Sequence, residues 1–163
     1  VGTTFTVEIP LRIVPETQEQ ENSETESREM DISGIRILVV EDNDLNAEIL
    51  MELLELEGAV CQWAENGQRA VDLFLSAPEN TFDVILMDIQ MPVMNGWEAA
   101  RAIRASDHPE AKLIPISAIT ANAFAEDIEN SLAAGMDAHI PKPVDMEVLK
   151  ETILKLRKIR EHR

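Results

Sequence analysis

The 163-residue chain reads as a doubly wound α/β fold, (βα)5, with a five-stranded parallel sheet and helices on both faces. Three observations predict it. From residue 34 onward, short β-forming runs alternate five times with segments of helical periodicity. Most of those runs are apolar throughout, as strands buried on both faces are, instead of alternating with polar residues. Acids, a threonine and a lysine collect where the runs end, the edge at which open parallel sheets bind ligands.

The elements follow in order. Arg36–Val40 (RILVV) is the first strand and ends in Glu41 and Asp42. Leu45, Ile49, Leu53 and Leu56 then recur at helical spacing as far as Gly58, a plausible helix stop. Ala59–Ala64 is a short second strand and Gly67–Leu75 a second helix. Phe82–Met87 (FDVILM) is a continuous apolar strand terminated by Asp88. Trp97–Ala105 is helical, Leu113–Ile119 (LIPISAI) a strand, and Ala123–Ala134 a helix closed by Gly135. Ala138–Ile140 is the last strand, followed by Pro141, Lys142 and Pro143. Asp145 caps a final amphipathic helix through Val148, Leu149, Ile153, Leu156 and Ile159, whose late basic residues suit the helix dipole.

Ahead of this unit, residues 1–14 alternate Phe5, Val7 and Ile9 against Thr4, Thr6 and Glu8, the period of a strand. A lone strand is unstable, so it must pair with something. Residues 15–33 form an acidic linker, with six Glu and Asp31 against a single Arg28. The whole chain carries a formal charge of −17, which argues against any nucleic-acid partner, since phosphate contacts need clustered Lys and Arg. One cysteine, Cys61, cannot form an intrachain disulfide and favours a cytoplasmic location. No apolar run reaches the roughly 18–20 residues of a membrane helix, so no membrane contact is expected from this stretch.

If the strands are parallel, Glu41, Asp42, Asp88, Thr120 and Lys142 converge on one edge. Clustered carboxylates need a compensating cation or shifted pKa values. Oxygen-only ligation with few protein ligands favours Mg²⁺ over a closed Ca²⁺ cage. Lys142 offers a point charge and Thr120 a hydroxyl donor, which suit phosphoryl oxygens. A carboxylate nucleophile forming an acyl phosphate completes a coherent chemistry.

The segments VVEDND, VILMDIQMPVMNG, ISAITANA and AGMDAHIPKPVD resemble the response-regulator receiver family over about residues 34–158. The resemblance implies a flavodoxin-like fold, Asp88 as phospho-acceptor, and Mg²⁺ or Mn²⁺ as cofactor. It implies metal ligation by Asp42, Asp88 and the backbone carbonyl of Gln90, with Glu41 acting through water. Thr120 would contact the phosphoryl group, Lys142 would pair with one of its oxygens, and the Lys142–Pro143 peptide would be cis. The switch aromatic of the family is replaced here by His139, which is smaller and titratable. Self-dephosphorylation is implied too. The N-terminal VGTTFTVEIPLR is similar to the last strand of a histidine-kinase ATP-binding domain, so the parent is expected to be a hybrid histidine kinase. Partners would be the kinase core or a histidine phosphotransfer domain. A homodimer through the face of the fourth helix, fifth strand and fifth helix is a further candidate.

An aspartyl-phosphate phosphohydrolase is the alternative, but its general acid two residues after the nucleophile is here Gln90. A purely structural module conflicts with so complete an acidic site. His108 and His162 read as surface residues, Cys61 as a small core residue, and Met94 and Trp97 as packing residues beside the loop after Asp88.

Overall fold

The computed structural model describes residues 30–121 and 125–162. The strand expected at residues 1–14 and the linker up to residue 29 lie outside the described residues. A compact unit begins at Asp31. Its elements are β1 (Arg36–Val40), α1 (Asp44–Leu56), β2 (Val60–Ala64), α2 (Gly67–Ser76), β3 (Val84–Asp88), α3 (Gly96–Ala105), β4 (Ile116–Thr120), α4 (Ala125–Ala133), β5 (Ala138–Pro141) and α5 (Met146–Glu161). The strands pair in parallel in the order β2-β1-β3-β4-β5. This is the expected flavodoxin-like (βα)5 arrangement. The chain leaves β1 toward one edge and β3 toward the other, so the switch point falls between these two strands.

Two apolar cores explain the continuous strands. Leu38, Val40, Ile85, Met87 and Ile116 point to one face, against Phe74 of α2 and Ile103 of α3. Ile37, Val39, Val84, Leu86 and Ile140 point to the other, against Leu54 of α1 and Leu149, Ile153 and Leu156 of α5. Successive strand side chains alternate between faces, so a strand covered on both sides is apolar at nearly every position. Buried Ser117 of β4 is an exception, its hydroxyl donating to the Ala118 carbonyl at 3.4 Å. The edge strand departs from this. In β2, Val60 is exposed and Cys61 only half-buried, because among the described residues this strand is at the edge of the sheet and pairs on one side alone, with β1.

Side-chain caps set several of the helix starts. Asn43, Asn66, Asn95 and Asp145 each accept from a backbone N–H in the first turn of α1, α2, α3 and α5. β4 begins later than the apolar run LIPISAI, since Pro115 has no N–H for the ladder. The core also takes in Ile32, fully buried ahead of the expected boundary at residue 34. Its burial is worth roughly 1.5–3 kcal/mol.

α1 holds the main surprise. Leu45, Ile49, Leu53 and Leu56 are 63, 49, 40 and 84% exposed, while Ala47, Leu50 and Leu54 face the core. The periodic stripe seen in the sequence is therefore the outer one. Among the described residues no helix is long and apolar enough to cross a membrane.

Candidate functional site

The carboxyl ends of β1 and β3 lie side by side at the switch point. Val40 pairs with Met87, so the residues that follow, Glu41 and Asp88, come next to one another. Glu41 is buried and Asp42 exposed. Glu41 donates its N–H to the Ala64 carbonyl at 3.2 Å. Its carboxylate accepts from the side chain of Asn46 at 3.2 Å and from the N–H of Asn43 at 3.4 Å. Asp88, also buried, accepts the Gln90 N–H at 3.0 Å.

Lys142 arrives from the far side. Its N–H donates to the Thr120 carbonyl at 2.8 Å, and the Lys142–Pro143 peptide is cis. Its Nζ donates to Glu41 Oε2 at 2.8 Å and to Asp88 Oδ2. Thr120 is buried at the end of β4, beside β3. His139 pairs with Ala118 on β4, two rungs before Thr120, and is exposed on the edge strand.

Carboxylates of Glu41, Asp42 and Asp88 offer oxygens within 4.8 Å of one another. One ammonium against three carboxylates leaves an excess of negative charge. Burial pushes the Asp88 carboxyl above its ordinary range, partly offset by the Lys142 and Gln90 hydrogen bonds. Burial pulls the Lys142 ammonium down, but its bonds to Asp88 and Glu41 outweigh that and raise it. A divalent cation would relieve the repulsion. The donor set is all oxygen, and exposed Asp42 leaves room for waters, as Mg²⁺ prefers. The described residues therefore fit a hard divalent cation.

The loop after Asp88 is held on both sides. Ile89 donates to the Ile119 carbonyl at 3.2 Å, and Gly96 returns to the Ile89 carbonyl at 3.0 Å. A Cβ on Gly96 would stand 2.3 Å from the Asp88 carbonyl oxygen, so only glycine lets α3 start so close to the acceptor. Val93, within this loop, has φ 69° and is 83% exposed.

Some of these contacts had no expectation in the sequence. Asn46, in the first turn of α1, was signalled only by an amide near an acid pair. Trp63 of β2 donates its indole N–H to the Glu41 carbonyl at 2.9 Å. Trp97 does pack against the core, as expected, and also donates to Ser131 of α4 at 3.0 Å. His108 is not a plain surface residue. It is half-buried with its ring 4.5 Å from that of Phe74, bonded to the Ala77 carbonyl and the Glu110 N–H.

A parallel α/β sheet with three acids and a lysine at its switch point defines a class of phosphate- and cation-handling domain. The chain belongs to the response regulator receiver domain family, whose model matches residues 37–154. It is 38% identical over 136 residues, 79% of this chain, to hybrid signal transduction histidine kinase I of Dictyostelium discoideum. It is also 38% identical over 121 residues, 74% of this chain, to sensor protein GacS of Pseudomonas syringae. The chain spans only 8% and 13% of the length of those two relatives. Among solved structures it resembles the receiver domain of a Pseudomonas aeruginosa sensor histidine kinase with magnesium coordinated in the active-site cleft. That match has 34% identity and TM-score 0.69, covering 77% of this chain and 99% of that one. It also resembles the co-crystal of the Saccharomyces cerevisiae histidine phosphotransfer protein Ypd1 with the receiver domain of Ssk1, at 30% identity and TM-score 0.68, covering 78% and 91%. The chain is a receiver domain of two-component phosphorelay signalling.

Proposed function

We propose that Asp88 accepts a phosphoryl group from a phosphohistidine, within a hybrid histidine kinase that acts in the cytoplasm. The observation that carries this reading is Lys142 Nζ bridging Asp88 and Glu41 at the switch point, with Asp42 in the same cluster. An Asp88 carboxylate oxygen attacks phosphorus in line, the P–N bond breaks, and the donor imidazole leaves with the electron pair and takes up a proton. Asp42, Asp88 and the Gln90 carbonyl would hold Mg²⁺, with Glu41 acting through water, and the cation would supply neutralising charge for the transferring oxygens. Lys142 exchanges its contact with Asp88 for a phosphoryl oxygen, and the Thr120 hydroxyl donates to another. Gln90 stands where an aspartyl-phosphate phosphohydrolase needs its acid, so turnover of outside substrates is not part of the function.

The donor is a histidine phosphotransfer domain or the kinase core. It must bring an imidazole to Asp88, and the exposed stripe of α1 starts at the rim of that site. A groove lined by Ile49, Leu53, Pro143, Val144 and Met146 runs from the stripe to Lys142 and Glu41. An apolar surface continuous with the acceptor is where a donor helix would rest.

Mass spectrometry after incubation with acetyl phosphate and Mg²⁺ tests the assignment. The chain gains one acid-labile phosphoryl group and Asp88→Asn gains none; equal labelling of both would sink it.

A further inference from the structure

We infer that Trp63 is a positioning residue for the acidic turn, its indole N–H fixing the peptide that aims Asp42 at a divalent cation. The inference rests on the assignment of Glu41, Asp42 and Asp88 as the cation site.

The ladder between β1 and β2 closes with Val40 opposite Ala64. One further backbone rung forms, from the Glu41 N–H to the Ala64 carbonyl. After Ala64 the edge strand stops, and Asn66 turns the chain to cap α2. The carbonyl of Glu41 therefore projects beyond the last rung that the β2 backbone supplies. Trp63, one residue earlier on β2 and half-buried, reaches it with the indole N–H at 2.9 Å. That carbonyl belongs to the peptide joining Glu41 to Asp42.

The two acids are fixed by different means. Glu41 is buried, and its carboxylate is held by Lys142, Asn46 and the Asn43 N–H. Asp42 is exposed, so packing does not set its direction and its backbone must. The plane of the Glu41–Asp42 peptide sets where the Asp42 side chain leaves the chain. A hydrogen bond from an aromatic anchored on the neighbouring strand fixes that plane before any cation arrives. Preorganisation of this kind lowers the cost of binding because less freedom is lost on ligation. Indole is well suited to hold the peptide, being rigid, donor only, and shielded enough on an edge strand for its bond to persist.

If Trp63 only fills space beside β1, loss of its N–H leaves cation binding unchanged, and that difference can be measured. Mg²⁺ affinity is determined by isothermal titration calorimetry on the full chain, on Trp63→Phe, and on the chain carrying 3-benzothienylalanine at position 63, which keeps the indole shape and replaces N–H by sulfur. Both altered chains should bind Mg²⁺ roughly fivefold more weakly, the cost of ordering a peptide that the indole otherwise holds in place, with labelling by acetyl phosphate at saturating Mg²⁺ within about twofold of the unaltered chain. The metal-free benzothienyl chain should stay folded and melt only a few degrees lower, as the loss of one hydrogen bond requires. If Trp63→Phe fails to fold, the benzothienyl chain decides alone. Unchanged Mg²⁺ affinity in the benzothienyl chain overturns the positioning role and leaves the cation site standing. Failure of the unaltered chain to bind Mg²⁺ overturns both.

Discussion

Val93 places a β-branched side chain in the left-handed region, at φ 69°, where such residues are strained by about 1–3 kcal/mol. The side chain is almost wholly exposed, so little packing is lost when it is removed. Val93→Gly relieves the strain and loosens the unfolded chain by a smaller amount. A net gain of about 0.5–1 kcal/mol is expected in urea unfolding, against the usual penalty for introducing glycine. Asp83 is a second residue whose behaviour follows from its contacts. Burial works to raise its carboxyl, but hydrogen bonds from the Arg36 backbone and guanidinium outweigh it and hold the group below the ordinary carboxylate range. Arg160 adds a second guanidinium at 2.8 Å. A depressed carboxyl contributes stability that is complete above its unfolded pKa of about 4 and lost as pH falls through the folded value. Asp83→Asn should flatten the melting-temperature profile below about pH 4. At pH 7 it should cost about 1–2 kcal/mol, allowing for partial exposure to water.

At the scale of elements, α3 starts against the acceptor itself. A methyl on Gly96 would meet the Asp88 carbonyl oxygen and the Ile89 Cα, neither of which is a flexible side-chain end. Gly96→Ala should therefore destabilise the fold by about 2–3 kcal/mol in chemical unfolding, as overpacking does, and slow labelling by acetyl phosphate. α1 carries the opposite kind of expectation. Ile49 sits on its outer stripe, so Ile49→Lys should change stability by no more than about 0.5 kcal/mol and leave acetyl phosphate labelling intact. Transfer from a phosphorylated histidine phosphotransfer domain should weaken by about tenfold or more, as loss of an apolar anchor does. Equal transfer rates would remove α1 as the docking face.

For the molecule as a whole, the acidic edge balances function against stability. Three carboxylates crowd one end of a sheet whose buried strands are mostly apolar, with one lysine between them. Mg²⁺ at about 100 times its dissociation constant should raise unfolding stability by roughly 2.7 kcal/mol, read as a higher melting temperature. Asp42→Ala should abolish most of that gain, and a melting temperature indifferent to millimolar Mg²⁺ would count against the site. The opposite end of the sheet is closed by a different means. Arg160, near the end of α5, bonds to Asp83, Glu110 and the Phe82 carbonyl, tying the last helix to the loops ahead of β3 and β4.

The fold and the site were legible because both rest on local patterns. Apolar runs of strand length alternating with helical spacing permit few arrangements besides a covered parallel sheet, and a parallel sheet brings the residues after each strand to one edge. Glu41, Asp42, Asp88, Thr120 and Lys142 could thus be placed at that edge from position alone. α1 shows where such reading stops. It carries apolar residues around much of its circumference, so periodicity fits two stripes and only packing against β1 and α5 selects Leu50 and Leu54 for the interior. The bond from Trp63 to Glu41, the His108 contacts with Phe74 and Ala77, and the reach of Arg160 to Asp83 join residues 22 to 77 positions apart. Their partners are set by sheet order and helix placement, quantities that no local window of sequence contains, and only the tertiary structure could decide them.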